Sequence, residues 1–531
     1  MNRILALWAV LLFVMPARAQ YQYQRLNHLQ DARYNGNLYK TDVNLHTSIR
    51  PLDNWELDSA GYATSIGANS STSKGWLSRK LFHEHLIQLS GKDYELTIDP
   101  VVNFQGGITQ GSDAINYVNT RGFTLEGRLG KKVTFRSSYL ENQAVFPGYV
   151  SQFATFRDVV PGQGHQRTFG DSGFDFGVPS GEVTFTPDRI FSFTVGQGRN
   201  FFGEGYRSMF LSDAAFNYPF LRIETTFGPV KYTNLWAQMY DVRDAVSPGN
   251  NFAKKYLSSH YLSINVNSRL NVSFFEAIVM GDTNQVEGID ASFFNPVIFY
   301  RPVEYAVGSG TGNALLGAAT SYKLFDKVQA YGQFILDEFS ISDLTEGNGS
   351  WKNKFGWQLG VKGYDVFTDG LFIRTEYNAA KPYTFSHKEV LTNYAHYGQP
   401  LGHPWGANFH EGILQLIYSH NRWEAEARFH YGVMGLDASA AEDWGMDVYK
   451  SYNEREQDNG NSIGQGQRGD YSYLMLRGAW IVNPATDLKI EVGMSLRRLS
   501  TAATTKPFVG GDYNYFFVGL RTEFFNSYYD F

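Results

Sequence analysis

The chain has no cysteine in 531 residues. That absence excludes disulfides, thiolate nucleophiles and thiolate metal sites. Long apolar runs are missing as well. Past the N-terminus no stretch approaches the roughly 20 apolar residues that a membrane-spanning helix needs. Positive charge is in short supply: 46 Lys and Arg stand against 52 Asp and Glu, for a net charge of −6. This balance argues against nucleic acid as a partner. Repeats at solenoid periods and low-complexity linkers are absent apart from Ser70–Ser73.

The one apolar run, Ile4–Val14, follows Arg3 and precedes Ala17-Arg18-Ala19. A charged start, a short apolar centre and an A-x-A site describe a secretory signal. Residues 1–19 are expected to be removed, leaving a mature chain that begins near Gln20. Loss of Arg3 and Arg18 takes the net charge to −8. No cysteine follows the cleavage site, so a lipoprotein is excluded.

What the chain has in abundance is aromatic residues, 16% of the total, with 41 Phe, 34 Tyr and 10 Trp. The decisive pattern is alternation. Trp423, Ala425, Ala427, Phe429 and Tyr431 interleave with Glu424, Glu426, Arg428 and His430. Leu488 to Leu496 alternates in the same way with Lys489, Glu491 and Arg497, and Phe355 to Val361 with Lys354, Gln358 and Lys362. Period-2 patterning means strands. A charged face repeated this often calls for water on its side, which in a transmembrane barrel is the lumen.

Turn lengths alternate too. Short connections fall at 130–132, 187–189, 228–229, 267–269, 326–327, 368–370, 420–422 and 483–487. Between them lie longer loops near 106–118, 147–178, 203–219, 241–253, 283–312, 340–352, 384–409, 437–469 and 501–512. Eight short and nine long connections make 18 strands. The expected fold is therefore all-β: a transmembrane antiparallel barrel over 93–531, beginning near Tyr94, with short periplasmic turns and long extracellular loops. Residues 20–92 read as a periplasmic or plugging N-terminal region with a helix over Trp76–Leu89. The terminal run YNYFFVGLRTEFFNSYYDF reads as the closing strand, with Phe531 at its periplasmic end. Phe516, Val518 and Leu520 share one parity and Phe525, Tyr529 and Phe531 the other. The last strand must therefore bulge near Glu523–Phe524, or its end must leave the lipid band for the aromatic girdle.

Several motifs carry no chemistry. His83 and His85 lack the i, i+4 spacing of a helical zinc pair. Gly464–Gly469 matches a dinucleotide fingerprint but sits in a long polar loop, outside any βαβ unit. The acidic stretch 437–469 lacks EF-hand spacing and reads as a solvated loop, with calcium as the alternative. No cofactor, metal or enzymatic centre is expected.

The densest polar and aromatic cluster runs from Gln197 to Glu224, with Arg199, Glu204, Tyr206, Arg207, Asp213, Arg222 and Glu224. Continued parity from Phe191, Phe193 and Val195 would point Arg199 at lipid, so the strand must end, bulge or rise above the bilayer before it. Strand parity places Arg222 and Glu224 in the lumen. A second cluster, Arg301 to Gly317, adds Arg301, Glu304 and Tyr305. Rings stack on sugar faces, and Arg with carboxylates bonds hydroxyls, so a saccharide surface is one reading. A salt-bridge network that fixes a loop at the barrel rim is the other.

These clusters, GRNFFGEGYRSMFLSDAAFNYPFLRIE with NPVIFYRPVEY and YGQFILDEF, resemble the capsule-assembly Wzi-like family of outer-membrane proteins. Within it they are most similar to the Bacteroidetes gliding-motility branch, RemB. The resemblance implies an 18-stranded outer-membrane barrel with a periplasmic helical portion, holding or organising surface polysaccharide. It also implies, for that branch, support of gliding. On this reading Arg199, Glu204, Tyr206, Arg207 and Asp213 form a polysaccharide site at the extracellular rim, supported by Arg222, Glu224, Arg301, Glu304 and Tyr305. The expected partners are outer-membrane lipid, surface polysaccharide and secretion or gliding machinery. Two rivals are a diffusion porin or carbohydrate channel, and an assembly partner with no ligand of its own.

Overall fold

The computed structural model describes residues 24–52, 75–243, 246, 251–282, 291–297 and 312–531. The signal segment lies outside these residues, as do Arg301, Glu304 and Tyr305. The described residues contain 18 long strands. In chain order they are β1 (Tyr94–Thr109), β2 (Ile115–Leu129), β3 (Val133–Val145), β4 (Gly173–Phe185), β5 (Phe191–Gly198), β6 (Tyr218–Phe227), β7 (Val230–Asp241), β8 (Ala253–Asn265) and β9 (Leu270–Gly281). The second half comprises β10 (Gly312–Phe325), β11 (Val328–Glu338), β12 (Lys354–Tyr364), β13 (Leu371–Ala380), β14 (Phe409–His420), β15 (Trp423–Leu436), β16 (Gln467–Asn483), β17 (Leu488–Ser500) and β18 (Gly511–Thr522). Each pairs antiparallel with its sequence neighbours, and β18 pairs with β1 through Tyr515–Thr109 to Arg521–Asn103, closing the barrel.

The alternation sets the two faces. Trp423, Phe429, Leu359, Ile490 and Val492 are exposed on the outside, where lipid would lie. Glu424, Glu426, Lys489, Glu491 and Lys362 point inward. The inward face, however, is not left to water. Lys489, Glu491 and Arg497 are each only 1% exposed. Lys489 and Glu491 pair with Glu424 and Arg477 of nearby strands, while Arg497 donates to the Phe531 carbonyl of a segment that fills the lumen.

Among the described residues four segments do the filling. Residues 24–52 enter at the short-turn end and carry helix α1 (His28–Tyr34), capped by the Asn27 side chain. There the Lys323 ammonium donates to the carbonyls of Leu38 and Lys40 at 3.3 and 2.9 Å, and Tyr39 stacks on Tyr364. The β5–β6 connection dips inward, and its Phe201–Phe202 pairs antiparallel with Ile49–Arg50. The β13–β14 connection packs over it through hydrogen bonds from Ser212 to Leu401 and Gly402. The fourth filler is the C-terminal tail.

That tail corrects the sequence reading. β18 ends at Thr522, and residues 523–531 turn into the lumen and climb back towards the long-loop end. Nine residues span at most about 30 Å, enough to cross the membrane thickness. Phe531 is buried among Tyr149, Phe153 and Phe508 at ring separations of 5.6, 4.9 and 6.1 Å. It is the end of a lumenal plug rather than of a wall strand. The parity switch at Glu523–Phe524 marks where the chain leaves the sheet.

The expected helix over Trp76–Leu89 is also shorter. Helix α2 spans Trp76–Phe82, and Ile87–Ser90 forms a strand on β1 below the end of β18. Asp99 accepts from the Leu86 amide and meets the His85 imidazole, which fixes the break. Because β18 stops short, β1 would present unpaired backbone to lipid, and Ile87–Ser90 covers that edge. Helix α2 packs on the β16 end of the rim, where Asn483 donates to Lys80 and Glu84 carbonyls.

Candidate functional site

The β5–β6 connection is held by carboxylates from the wall. β5 stops at Gly198, the first of the outcomes that the parity of Arg199 left open. Glu376 on β13 accepts from the backbone amides of Tyr206 and Arg207 at 2.7 and 3.1 Å, and from the Tyr331 hydroxyl at 2.8 Å. Gly205 makes this approach possible. A Cβ there would lie 2.4 Å from a Glu376 oxygen and 2.7 Å from the Arg207 carbonyl.

Arg207 is the hub. Its guanidinium donates through Nε and Nη2 to Glu411 at 3.3 and 3.1 Å, and through Nη1 to Asp530 at 3.1 Å. Its side chain is fully buried. His403 and His430 each approach Glu411 at 2.8 Å, so the carboxylate is saturated. The Tyr206 hydroxyl donates to Asp530 at 2.6 Å and also meets Arg428.

The other predicted residues are buried in the same scaffold. Glu204 pairs with Lys362 at 2.6 Å, and Tyr39 bonds both groups. Asp213 accepts from Tyr528 and Asn526 of the tail at 2.6 and 2.8 Å. Arg199 donates to Asn217 and to the Asp213 carbonyl, each at 3.0 Å. Arg222 bonds Asn200 at 2.8 Å, and Glu224 pairs with Lys231 at 3.3 Å. Parity correctly placed Arg222 and Glu224 inside the barrel. The expectation of a rim position for Arg199, Glu204, Tyr206, Arg207 and Asp213 does not hold, because their loop folds into the lumen. The partners that draw it in, Glu376, Glu411 and Asp530, are far away in sequence.

The fillers leave space. A cavity of about 140 Å³ lies between α1, the tail and the wall from β14 round to β3. Of the predicted residues that are described, only Tyr206 lines it. Three carboxylates (Glu426, Glu491, Glu523) and three guanidinium groups (Arg428, Arg477, Arg521) face it. Arg477 sits at the centre, 3.1 Å from Glu491 and 2.9 Å from Glu523. Rings of Tyr473, Tyr515 and Phe517 complete the wall. Sequence reasoning had placed Glu426 and Glu491 in the lumen without grouping them, since the grouping depends on strand register.

At the long-loop end, helix α3 (Gly148–Arg157) and the loops 381–408, 437–466 and 501–510 interlock. Arg157 pairs with Asp447 at 2.8 Å, and Lys450 with Asp437 at 2.8 Å. The acidic stretch is therefore folded into the cap through Asp437 and Asp447, while Glu454, Glu456 and Asp458 stay exposed to solvent. A cleft between these loops is flanked by Arg157, Tyr449, Lys506 and Phe508.

Wall, filled lumen and loop cap define a transmembrane β-barrel of the outer-membrane type, plugged by its own chain. No family model and no curated protein match the sequence. The structure of Wzi, an outer-membrane protein involved in group 1 capsule assembly in Escherichia coli and described as a carbohydrate-binding β-barrel, shares the fold. It superposes with a TM-score of 0.57 at 14% identity, covering 95% of this chain and 100% of that one. OprD from Pseudomonas aeruginosa gives a TM-score of 0.41 at 10% identity, covering 80% of this chain and 94% of that one. OccAB2 from Acinetobacter baumannii gives 0.41 at 9%, covering 81% and 97%.

Proposed function

We propose that this protein is a non-enzymatic barrel of the Gram-negative outer membrane that holds or organises surface polysaccharide. The observation that carries the reading is the filled lumen. An 18-stranded wall is wide enough for an aqueous channel. Here the short-turn end is occupied by residues 24–52, and the centre by the β5–β6 loop and the tail. A barrel so filled is suited to binding rather than to diffusion. The fold shared with a carbohydrate-binding barrel supports the ligand class. The loop cap, at the end where the long loops would face outward, is the surface on which a polymer would lie. In this reading Arg199, Glu204, Tyr206, Arg207 and Asp213 serve the site from within, by fixing the fillers.

Two measurements test this. In planar bilayers the purified protein is expected to give no large open steps; steady steps of porin size would favour the channel. Cells lacking the protein are expected to shed polysaccharide that complemented cells retain; equal retention would sink the proposal. The sequence likeness to the gliding branch extends it to motility, where the deletion strain is expected to spread less on agar.

A further inference from the structure

The stretch from helix α2 to the strand on β1 is turned inside out. From Trp76 to Leu89 the exposed side chains are Trp76, Leu77, Leu81, Leu86, Ile87 and Leu89, all of them apolar. Trp76 and Leu77 are 62% and 61% exposed. The polar groups turn the other way. His85 is buried against Asp99, Lys80 donates to the His85 carbonyl at 2.9 Å, and Glu84 pairs with Lys80 and Arg79 at 3.2 and 3.4 Å. A segment surrounded by water would show the opposite arrangement, because burying apolar surface is favourable and burying charge is costly.

This surface continues the lipid-facing wall. Leu89 stands opposite Leu96 and Ile87 opposite Ile98 in the ladder with β1, so both extend the outward face of that strand. Helix α2 lies beside aromatic residues of the wall at the short-turn end. Arg422, in the β14–β15 turn, donates to the Phe82 carbonyl at 2.9 Å, and its guanidinium lies over the Trp480 ring, 5.8 Å from the centroid. Trp480 stands opposite Trp423, whose ring is exposed on the outside of the barrel. Trp rings on the outer face at a barrel end mark the level of the lipid headgroups.

We propose that residues 76–90 are embedded in the bilayer leaflet at the short-turn end, and that the partner of their apolar face is phospholipid. Helix α2 lies in the headgroup layer with Trp76, Leu77 and Leu81 towards the acyl chains, as amphipathic helices do at an interface. Ile87 and Leu89 sit among the chains as part of the wall. The bilayer thereby helps to hold the strand that covers the β1 edge beside β18. This assignment needs only that the barrel spans a membrane and is independent of polysaccharide.

The chain has no cysteine, so single labels are unambiguous. Leu77→Cys, Leu81→Cys and Leu89→Cys, each carrying a nitroxide, are placed as full-length protein in vesicles of phosphatidylethanolamine and phosphatidylglycerol. Lys131→Cys, exposed in the short turn after β2, is the water-facing control. All four change exposed side chains, and heat-modifiable mobility on gels verifies that each has folded. Power-saturation EPR compares collisions with oxygen, which concentrates in hydrocarbon, and with a water-soluble nickel chelate. The oxygen-to-chelate ratio at the three leucine positions is expected to be on the order of tenfold above the control, because a polar reagent is excluded from hydrocarbon. Chelate access equal to the control would place the face in water and overturn the proposal. Low access to both reagents would mean that a protein, a second copy included, covers the face, and would overturn it as well. Leu77→Asp combined with Leu81→Asp leaves the Arg422 and Asn483 hydrogen bonds in place. It is expected to raise hydrogen exchange across Leu86–Ser90 severalfold, and an unchanged rate would refute the role of the bilayer in holding that edge.

Discussion

Arg207 and Asp530 meet at 3.1 Å inside the barrel although 323 residues separate them. One belongs to a loop that folds in from the wall, the other to the tail that leaves the last strand. Their contact ties both fillers to Glu411 on β14.

Removing the hub should be costly. Arg207→Ala leaves Glu411 and Asp530 buried without their guanidinium, and breaking a buried pair typically costs about 3–5 kcal/mol. Unfolding in urea, followed by heat-modifiable mobility on gels, is expected to show a loss of that size. A loss below about 1 kcal/mol would mean that the network does not hold the fillers.

Gly205 offers an independent probe of the same contact. The Cβ of Gly205→Ala would press on backbone and on the Glu376 carboxylate, and overpacking of this kind costs about 1–3 kcal/mol. The same urea experiment reads it. Gly478→Ala, where a Cβ meets nothing within 4 Å, is the control and should change little.

The tail should matter more to the lumen than to the wall. The ladder between β18 and β1 uses residues up to Arg521, so a chain ending at Thr522, refolded in detergent, is expected to keep its strand content by circular dichroism. It should conduct in planar bilayers where the full chain is silent. Silence of the truncated barrel would show that the remaining fillers close the lumen alone.

The loop cap should weaken as pH rises. Asp443 lies in the 437–466 connection, and burial, with Asp437 and Asp447 nearby, pushes its carboxyl up to about 7. The folded loop therefore keeps a proton that the unfolded loop releases near pH 4. Stability falls as pH rises from about 4 to 7 and levels off above, because the folded state binds more protons in that window. Hydrogen exchange across 437–466 should speed up over this range, and Asp443→Asn should flatten the dependence. A wild-type profile that is flat would refute the assignment.

Much of the barrel was legible in the sequence, for a physical reason. A wall with lipid on one side writes a period-2 code, so Trp423–Tyr431 and Leu488–Arg497 could be assigned to faces residue by residue. The short and long connections gave the strand number without any contact being known. That β5 could not carry its parity on to Arg199 within the bilayer followed from the cost of pointing a guanidinium at lipid.

The sequence by itself determined the wall strands and which charges face inward, because these depend on alternation within one strand and on the length of the connection to the next. Tertiary structure alone decided what those charges meet. Nothing local says that Asp530 reaches Arg207, that Phe531 ends beside Phe153, or that Ile87–Ser90 takes over the edge that β18 leaves. Those contacts arise because a buried charge needs a partner and an exposed strand edge needs a neighbour. In this chain both are supplied by segments hundreds of residues away.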